Sequence, residues 1–217
     1  YEIPLRLVGS EMCIRDRQEV VVENQQLQAE NILNQYEVLK NQLNPHMLFN
    51  SLNTLRSLVR EDQDKAQEYI QELSRVLRYT LQGNDSKSVT LRDEMEFVSA
   101  YIFLLKMRFE DNLSFDIRID KQYDDHRLPP MAVQMLIENA VKHNEISDRR
   151  PLSIRVYTEG EELVVTNPVQ PKLTATAGTG VGLANLAKRY HLLYKCEIQI
   201  TENKYFTVRI PLIPNAL

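Results

Sequence analysis

From Gln18 to Arg60 the chain contains no glycine and a single proline, Pro45. So long a stretch without breakers reads as helix, with Pro45 marking either a helix start or a kink in a longer one. Val22, Ala29, Leu33, Tyr36 and Leu43 recur with coiled-coil-like spacing, interrupted by the polar Gln25 and Gln26. A helix of this length is marginal alone and needs a partner surface. After the polar break Glu61-Asp62-Gln63-Asp64, a second amphipathic run carries Ala66, Tyr69, Ile70, Leu73, Val76, Leu77 and Thr80. Turn chemistry at Gly83-Asn84-Asp85-Ser86 ends it. Two helices joined by a short turn form an antiparallel hairpin, and one hairpin buries too little to stand alone. The expectation is a dimer that builds a four-helix bundle.

The first of these helices holds the stretch Leu43-Asn44-Pro45-His46-Met47-Leu48-Phe49-Asn50. Leu48, Leu52, Leu55 and Val59 follow at steps of four, three and four and predict one apolar stripe. His46 lies off the middle of that stripe, and Asn50, four residues on, shares its face. An imidazole on an accessible helix flank is usually an ordinary surface residue, so position alone assigns it no chemistry.

The remainder alternates between the two periods. Thr90 is a candidate N-cap for a helix bearing Phe97, Tyr101, Leu104, Leu105 and Phe109, with Asp93 three residues after the cap; Asp111-Asn112 closes it. Leu113 to Asp120 alternates apolar and polar and predicts a half-buried strand. Pro129-Pro130 leads into a helix over 131–143 with Met131, Met135, Leu136 and Ala140 inside. Strands follow over 152–157 and 163–166, then a loop over 168–178, a helix over 180–193, and a hairpin of 196–201 with 205–211. The fold class is therefore α+β: a long-helix hairpin followed by an α/β sandwich with its sheet covered on one face. The expected divisions are 1–17, 18–86 and 87–217.

Two segments of the second half suit a phosphate ligand. Asn139, Lys142 and His143 fall at i, i+3 and i+4, on one helix face. An amide oxygen can ligate Mg²⁺, and an ammonium can pair with phosphate. Gly178, Gly180 and Gly182, in Gly178-Thr179-Gly180-Val181-Gly182-Leu183-Ala184-Asn185, open onto a helix and let backbone N–H groups approach phosphate closely. No Gly-Lys-Ser/Thr follows, so this is not a P-loop, and its spacing is not that of the dinucleotide fingerprint. Taken singly, the two segments also fit a solvated helix face and a flexible loop. Lys172, nearby, reads as an ordinary surface position.

Composition narrows the classes. Formal net charge is −4, so no global basic field draws nucleic acid or an anionic membrane. No apolar run approaches the ~20 residues that span a bilayer. Cys13 and Cys196 form neither a disulfide framework nor a zinc spacing, which fits a reducing, cytoplasmic setting. Residues 1–17 show no sustained period. Val8 to Arg17 resembles a translated sequencing-adapter artefact, and the expectation is that a native N-terminal region is missing.

Together the histidine stretch, Glu138-Asn139-Ala140-Val141-Lys142-His143 and Gly178 to Leu183, in that order, resemble a LytS-like sensor histidine kinase with a GHKL-type ATP-binding domain. The similarity covers about residues 30–212. It implies that His46 is the phosphoacceptor, with Asn50 beside it in the catalytic stretch. It implies ATP binding by Asn139, Lys142, His143, Asn167, Gly178, Gly180, Gly182, Leu183 and Asn185, with Asn139 holding Mg²⁺. The implied partners are a second copy of the chain and a response regulator with a LytTR-type DNA-binding domain; this chain itself need not touch nucleic acid. The implied place is the cytoplasmic side of the bacterial inner membrane, anchored through the missing N-terminal region. One departure stands out. Where the wider fold has an Asp-x-Gly whose carboxylate accepts from the adenine amino group, this chain has Asn167-Pro168, and an amide oxygen accepts without charge. That departure keeps a second reading open, a nucleotide-binding pseudokinase or dimeric interaction module. An ATPase or chaperone-like machine of the same fold is disfavoured by the histidine hairpin.

Overall fold

The structure is a computed structural model that describes residues 45–82, 87–172 and 181–215. Contacts divide the chain into two units, Tyr1–Leu48 and Phe49–Leu217. Of the first, only residues 45–48, in the opening turn of a helix, are described. The seam read over Val22 to Leu43, the stretch 1–17 and the turn Gly83-Asn84-Asp85-Ser86 lie outside the described residues.

Helix α1 (Pro45–Glu61) and helix α2 (Gln63–Gln82) are separated by Asp62 alone. The expected four-residue break shrinks to one residue because Asp62 serves both helices. Its N–H donates to Leu58 O at 2.8 Å, its carbonyl accepts from Ala66 N–H at 3.0 Å, and its Oδ1 accepts from Lys65 N–H at 3.0 Å. The last of these is an N-cap. The buried face of α1 differs from the expected stripe: Leu52 and Val59 are about half exposed, whereas Ser51 and Leu58 are buried. The reason lies on α2. Tyr69 is buried there, and its phenol lies beside the Ser51 and Thr54 side chains, so a hydroxyl faces the interior where the sequence suggested leucines.

Ala66, Tyr69, Leu73 and Val76 form the buried face of α2, which packs along helix α3 (Leu91–Phe109). Thr90 caps α3 as the sequence predicts, its Oγ1 accepting from Asp93 N–H at 3.1 Å. A 3-10 turn (Glu110–Asn112) closes α3, with Glu110 at φ 51°. Two short strands that the periodicity does not show, β1 (Val89–Thr90) and β3 (Arg127–Leu128), pair antiparallel across the start of α3.

The main sheet comprises β2 (Leu113–Arg118), β4 (Leu152–Glu159), β5 (Glu162–Pro168), β6 (Gln199–Glu202) and β7 (Tyr205–Pro211), in the order β2-β4-β5-β7-β6. Among the described strands only β2 and β4 are parallel, and helix α4 (Ala132–His143) lies in their crossover. Gly160, at φ +58°, supplies the left-handed residue in the tight turn from β4 to β5. In β4, Leu152, Ile154 and Val156 are buried while Ser153 and Arg155 are exposed, so one sheet face is covered. Val133 and Ile137 of α4 and Leu186 and Tyr190 of helix α5 (Val181–Tyr194) are fully buried, and α4 packs on both α5 and β5. This is the mixed helix-and-sheet fold expected. Among the described residues no helix is long and apolar enough to cross a membrane.

Candidate active site

Helix α4 organises the site. Met135, Asn139, Lys142 and His143 follow one another along one of its faces, while Val133, Ile137 and Ala140 turn into the core. Asn139 is half-buried; Lys142 and His143 are exposed. The opening of α5 lies against the same face: a methyl group added at Gly182 would sit 4.0 Å from Met135 Cε. Asn139 is one turn beyond Met135, so the residues that end the glycine-rich stretch meet the face that carries Asn139. Leu183 is half-buried and Asn185 exposed in the first turns of α5. Gly178 and Gly180 lie outside the described residues.

Asn167 joins this group through the sheet. Its strand runs two residues beyond the expected 163–166, with Asn167 paired to Phe206 and Pro168 to Tyr205. Proline is tolerated there because the ladder to β4 has already ended at Thr166, leaving β5 an edge on that side. Val165 pairs with Val156, a residue of the covered face, so Asn167, two residues on, shares that face with α4. It is 2% exposed, and its Nδ2 donates to Pro168 O at 2.8 Å. The amide nitrogen is thus engaged, and the oxygen is the atom suited to accept.

The C-terminal end of α4 is fastened to the segment after β5 by residues that sequence reasoning missed. Asn144 is buried; its Nδ2 donates to Ala140 O at 2.8 Å and its Oδ1 accepts from Gln170 N–H at 2.8 Å. Gln170 Nε2 donates to Glu145 O at 2.7 Å. Lys172, expected to be an ordinary surface position, is instead a cap: its Nζ donates to Lys142 O at 2.8 Å and Val141 O at 3.1 Å. Burial, followed by the positive charges of Lys142 and Lys172, holds the His143 imidazole below its ordinary pKa. Burial and Arg108 similarly push the Lys172 ammonium down.

His46 falls in the first turn of α1, and its side chain lies outside the described residues. Asn50, one turn later, is half-buried. The structure therefore brings Asn139, Lys142, His143, Asn167 and the start of α5 to one sheet face, and gives His46 a helical backbone.

The family described as Histidine kinase matches residues 34–113. The Sensor protein LytS of Streptococcus agalactiae serotype V is 34% identical over 176 residues, 73% of this chain and 30% of that protein. The Sensor histidine kinase BtsS of Escherichia coli K12 is 33% identical over 186 residues, 81% of this chain and 33% of that protein. LytS of Staphylococcus haemolyticus is 34% identical over 172 residues, 72% of this chain and 30% of that protein. The chain thus spans about a third of the length of these curated relatives. The catalytic domain of histidine kinase ThkA overlays loosely, with a TM-score of 0.39 at 18% identity, over 58% of this chain and 95% of that one. On the sequence likeness, this chain belongs to the histidine kinases and is similar to their LytS and BtsS sensors.

Proposed function

We propose that this chain is the kinase core of a two-component sensor: it binds ATP with Mg²⁺, moves the γ-phosphoryl group to His46, and passes it to an aspartate of a response regulator. The observation that carries the reading is the convergence of Asn139 on α4, Asn167 on β5 and the start of α5 on one covered sheet face. On this reading Asn167 Oδ1 accepts from the adenine amino group, and Lys142 and His143 meet the phosphate tail. Gly178, Gly180 and Gly182, with Leu183 and Asn185, are assigned to the nucleotide as well.

The donor set fits Mg²⁺. Asn139 offers one hard, neutral oxygen, and among the described residues no group of three or more His, Cys, Asp and Glu could hold an ion alone. The ion would then be held jointly by Asn139 and the phosphates, where it neutralises charge on the transferring group. The lone-pair nitrogen of neutral His46 bonds to the γ-phosphorus as the bond to the bridging oxygen breaks, releasing ADP. Imidazole, with an ordinary pKa of ~6.5, is mostly neutral at pH 7, so no base is needed to free that lone pair.

The wider setting on this reading is a homodimer built through α1 and α2, a LytTR-type regulator, and a full-length protein anchored in the inner membrane. The exposed Phe49, Leu52, Val59 and Ile70 of these helices suit such a dimer face. Asn167-Pro168 favours one second reading, a pseudokinase that binds nucleotide without turnover. Incubation with γ-labelled ATP separates the two. The kinase acquires an acid-labile, base-stable label; the pseudokinase acquires none.

A further inference from the structure

Glu94 is a fully buried carboxylate that the kinase reading leaves without a task. It sits in the first turn of α3, yet it caps a different helix. Its Oε2 accepts from Met131 N–H at 2.9 Å and its Oε1 from Val133 N–H at 3.0 Å, at the start of α4. Met131, at the N-cap position, has φ 62° and offers no side-chain cap, so Glu94 supplies what the local sequence does not. A third donor comes from α2: Tyr79 Oη donates to Glu94 Oε2 at 2.9 Å, and the Tyr79 ring stacks on Phe97 with centroids 4.1 Å apart. Arg189 of α5 closes the same corner by donating to Pro130 O at 3.0 Å.

Both oxygens of Glu94 accept from N–H or O–H groups, as an ionised carboxylate at a helix N-terminus should. Burial pushes its carboxyl up, and Tyr79 with the Met131, Val133 and Gln134 amides pulls it back down. Losing one donor therefore unbalances a buried charge. Through Glu94, an unbroken run of hydrogen bonds joins the Tyr79 side chain of α2 to the helix that carries Asn139.

We infer that Glu94 is a positioning residue for the nucleotide site: it fixes the start of the Asn139 helix, and Tyr79 makes that grip depend on where α2 stands. This rests on the proposed kinase function for its consequence but not for its geometry. A movement of α2 that withdraws the Tyr79 hydroxyl loosens the first turn of α4. Asn139 and its neighbours then lose the alignment that phosphoryl transfer needs.

The test uses the full chain with Tyr79→Phe, which keeps the ring stack on Phe97, and Glu94→Gln, which keeps the shape and removes the charge. Amide hydrogen exchange at Val133 and Gln134 should accelerate at least about fivefold in Tyr79→Phe, while Leu104 in α3 stays as in wild type. Autophosphorylation at saturating Mg²⁺-ATP should fall at least about fivefold in Tyr79→Phe with affinity within about threefold, a split that a uniform loss of stability does not produce. Glu94→Gln should weaken Mg²⁺-ATP binding about tenfold in its folded fraction. Unchanged exchange at Val133 and Gln134 in Tyr79→Phe overturns the inference, even where Glu94→Gln does not fold. Wild-type affinity in folded Glu94→Gln overturns it as well. If exchange responds but wild-type protein takes no label from ATP, it is the kinase reading that has failed and the positioning role that stands.

Discussion

Asn144→Ala tests whether α4 is held at its C-terminal end by one buried amide. Asn144 is 5% exposed and Gln170 8% exposed, so neither gains water when the contact is cut. Removing Oδ1 leaves Gln170 N–H without the acceptor it has at 2.8 Å, a buried orphan donor that costs about 1–3 kcal/mol. Removing Nδ2 takes a second donor from Ala140 O, which keeps Asn144 N–H at 3.2 Å; this adds about 0.5–1 kcal/mol. The sum is about 1.5–4 kcal/mol. With a urea slope of about 2 kcal/mol/M, the unfolding midpoint falls by about 0.75–2 M. Asn112→Ala is the control. It also removes one side-chain hydrogen bond, to Asp148 Oδ1 at 2.7 Å, but in an exposed position, and should cost no more than about 0.5 kcal/mol. Urea unfolding followed by circular dichroism measures both. Equal midpoints for the two variants would refute the reasoning, because orphaning a buried donor is what separates them.

Three further outcomes follow from the site. Asn139→Asp places a carboxylate beside the polyphosphate and should weaken Mg²⁺-ATP binding at least about tenfold by titration calorimetry; unchanged affinity removes Asn139 from the site. Asn167→Leu should lose about 1–3 kcal/mol of ATP affinity and its preference over GTP, whereas Asn167→Asp should keep or tighten it; equal affinity for wild type and the Leu variant returns Asn167 to a purely structural part. His143, held below 6.5, resists protonation in the folded state, so its contribution to stability is present above pH 6.5 and is lost as pH falls through 6.5 toward the folded value. The wild-type urea midpoint should therefore drop more than that of His143→Gln between pH 7.5 and 5.5, and a steeper fall in the variant contradicts the shift.

What was legible in the sequence follows from what is periodic. Thr90 with Asp93, the helix ending at His143 and the Tyr205 to Pro211 strand carry local signals, and the structure has them, although that helix starts at Ala132 with Met131 as its left-handed N-cap rather than inside it. The stripe Leu52-Leu55-Val59 misleads because the side of α1 that is covered is that of Ser51 and Leu58, with the buried Tyr69 of the next helix beside Ser51. Asn167 looks like the start of a turn until the ladder to Phe206 is known, since pairing across 39 positions leaves no mark nearby. Glu94, Asn144 and Lys172 share that difficulty. Glu94 and Lys172 cap α4 from other elements, and a cap supplied from a distance has no spacing rule; Asn144 is α4's own C-cap, but its tie to Gln170 is equally distant in sequence. The Asn139 face was readable from residue order alone; what holds that face in place was not.

The central claim is that His46 takes the phosphoryl group from ATP bound at the Asn139 site. The most direct measurement is incorporation of γ-label by wild type and His46→Gln under matched ATP occupancy, with the labelled peptide located by mass spectrometry at neutral pH. The account predicts an acid-labile label on the peptide containing His46 in wild type. In His46→Gln it predicts no label, with ATP affinity within about threefold of wild type because the substitution removes the acceptor and not the nucleotide contacts. Wild-type levels of label in His46→Gln, or label on a peptide without His46, would contradict it.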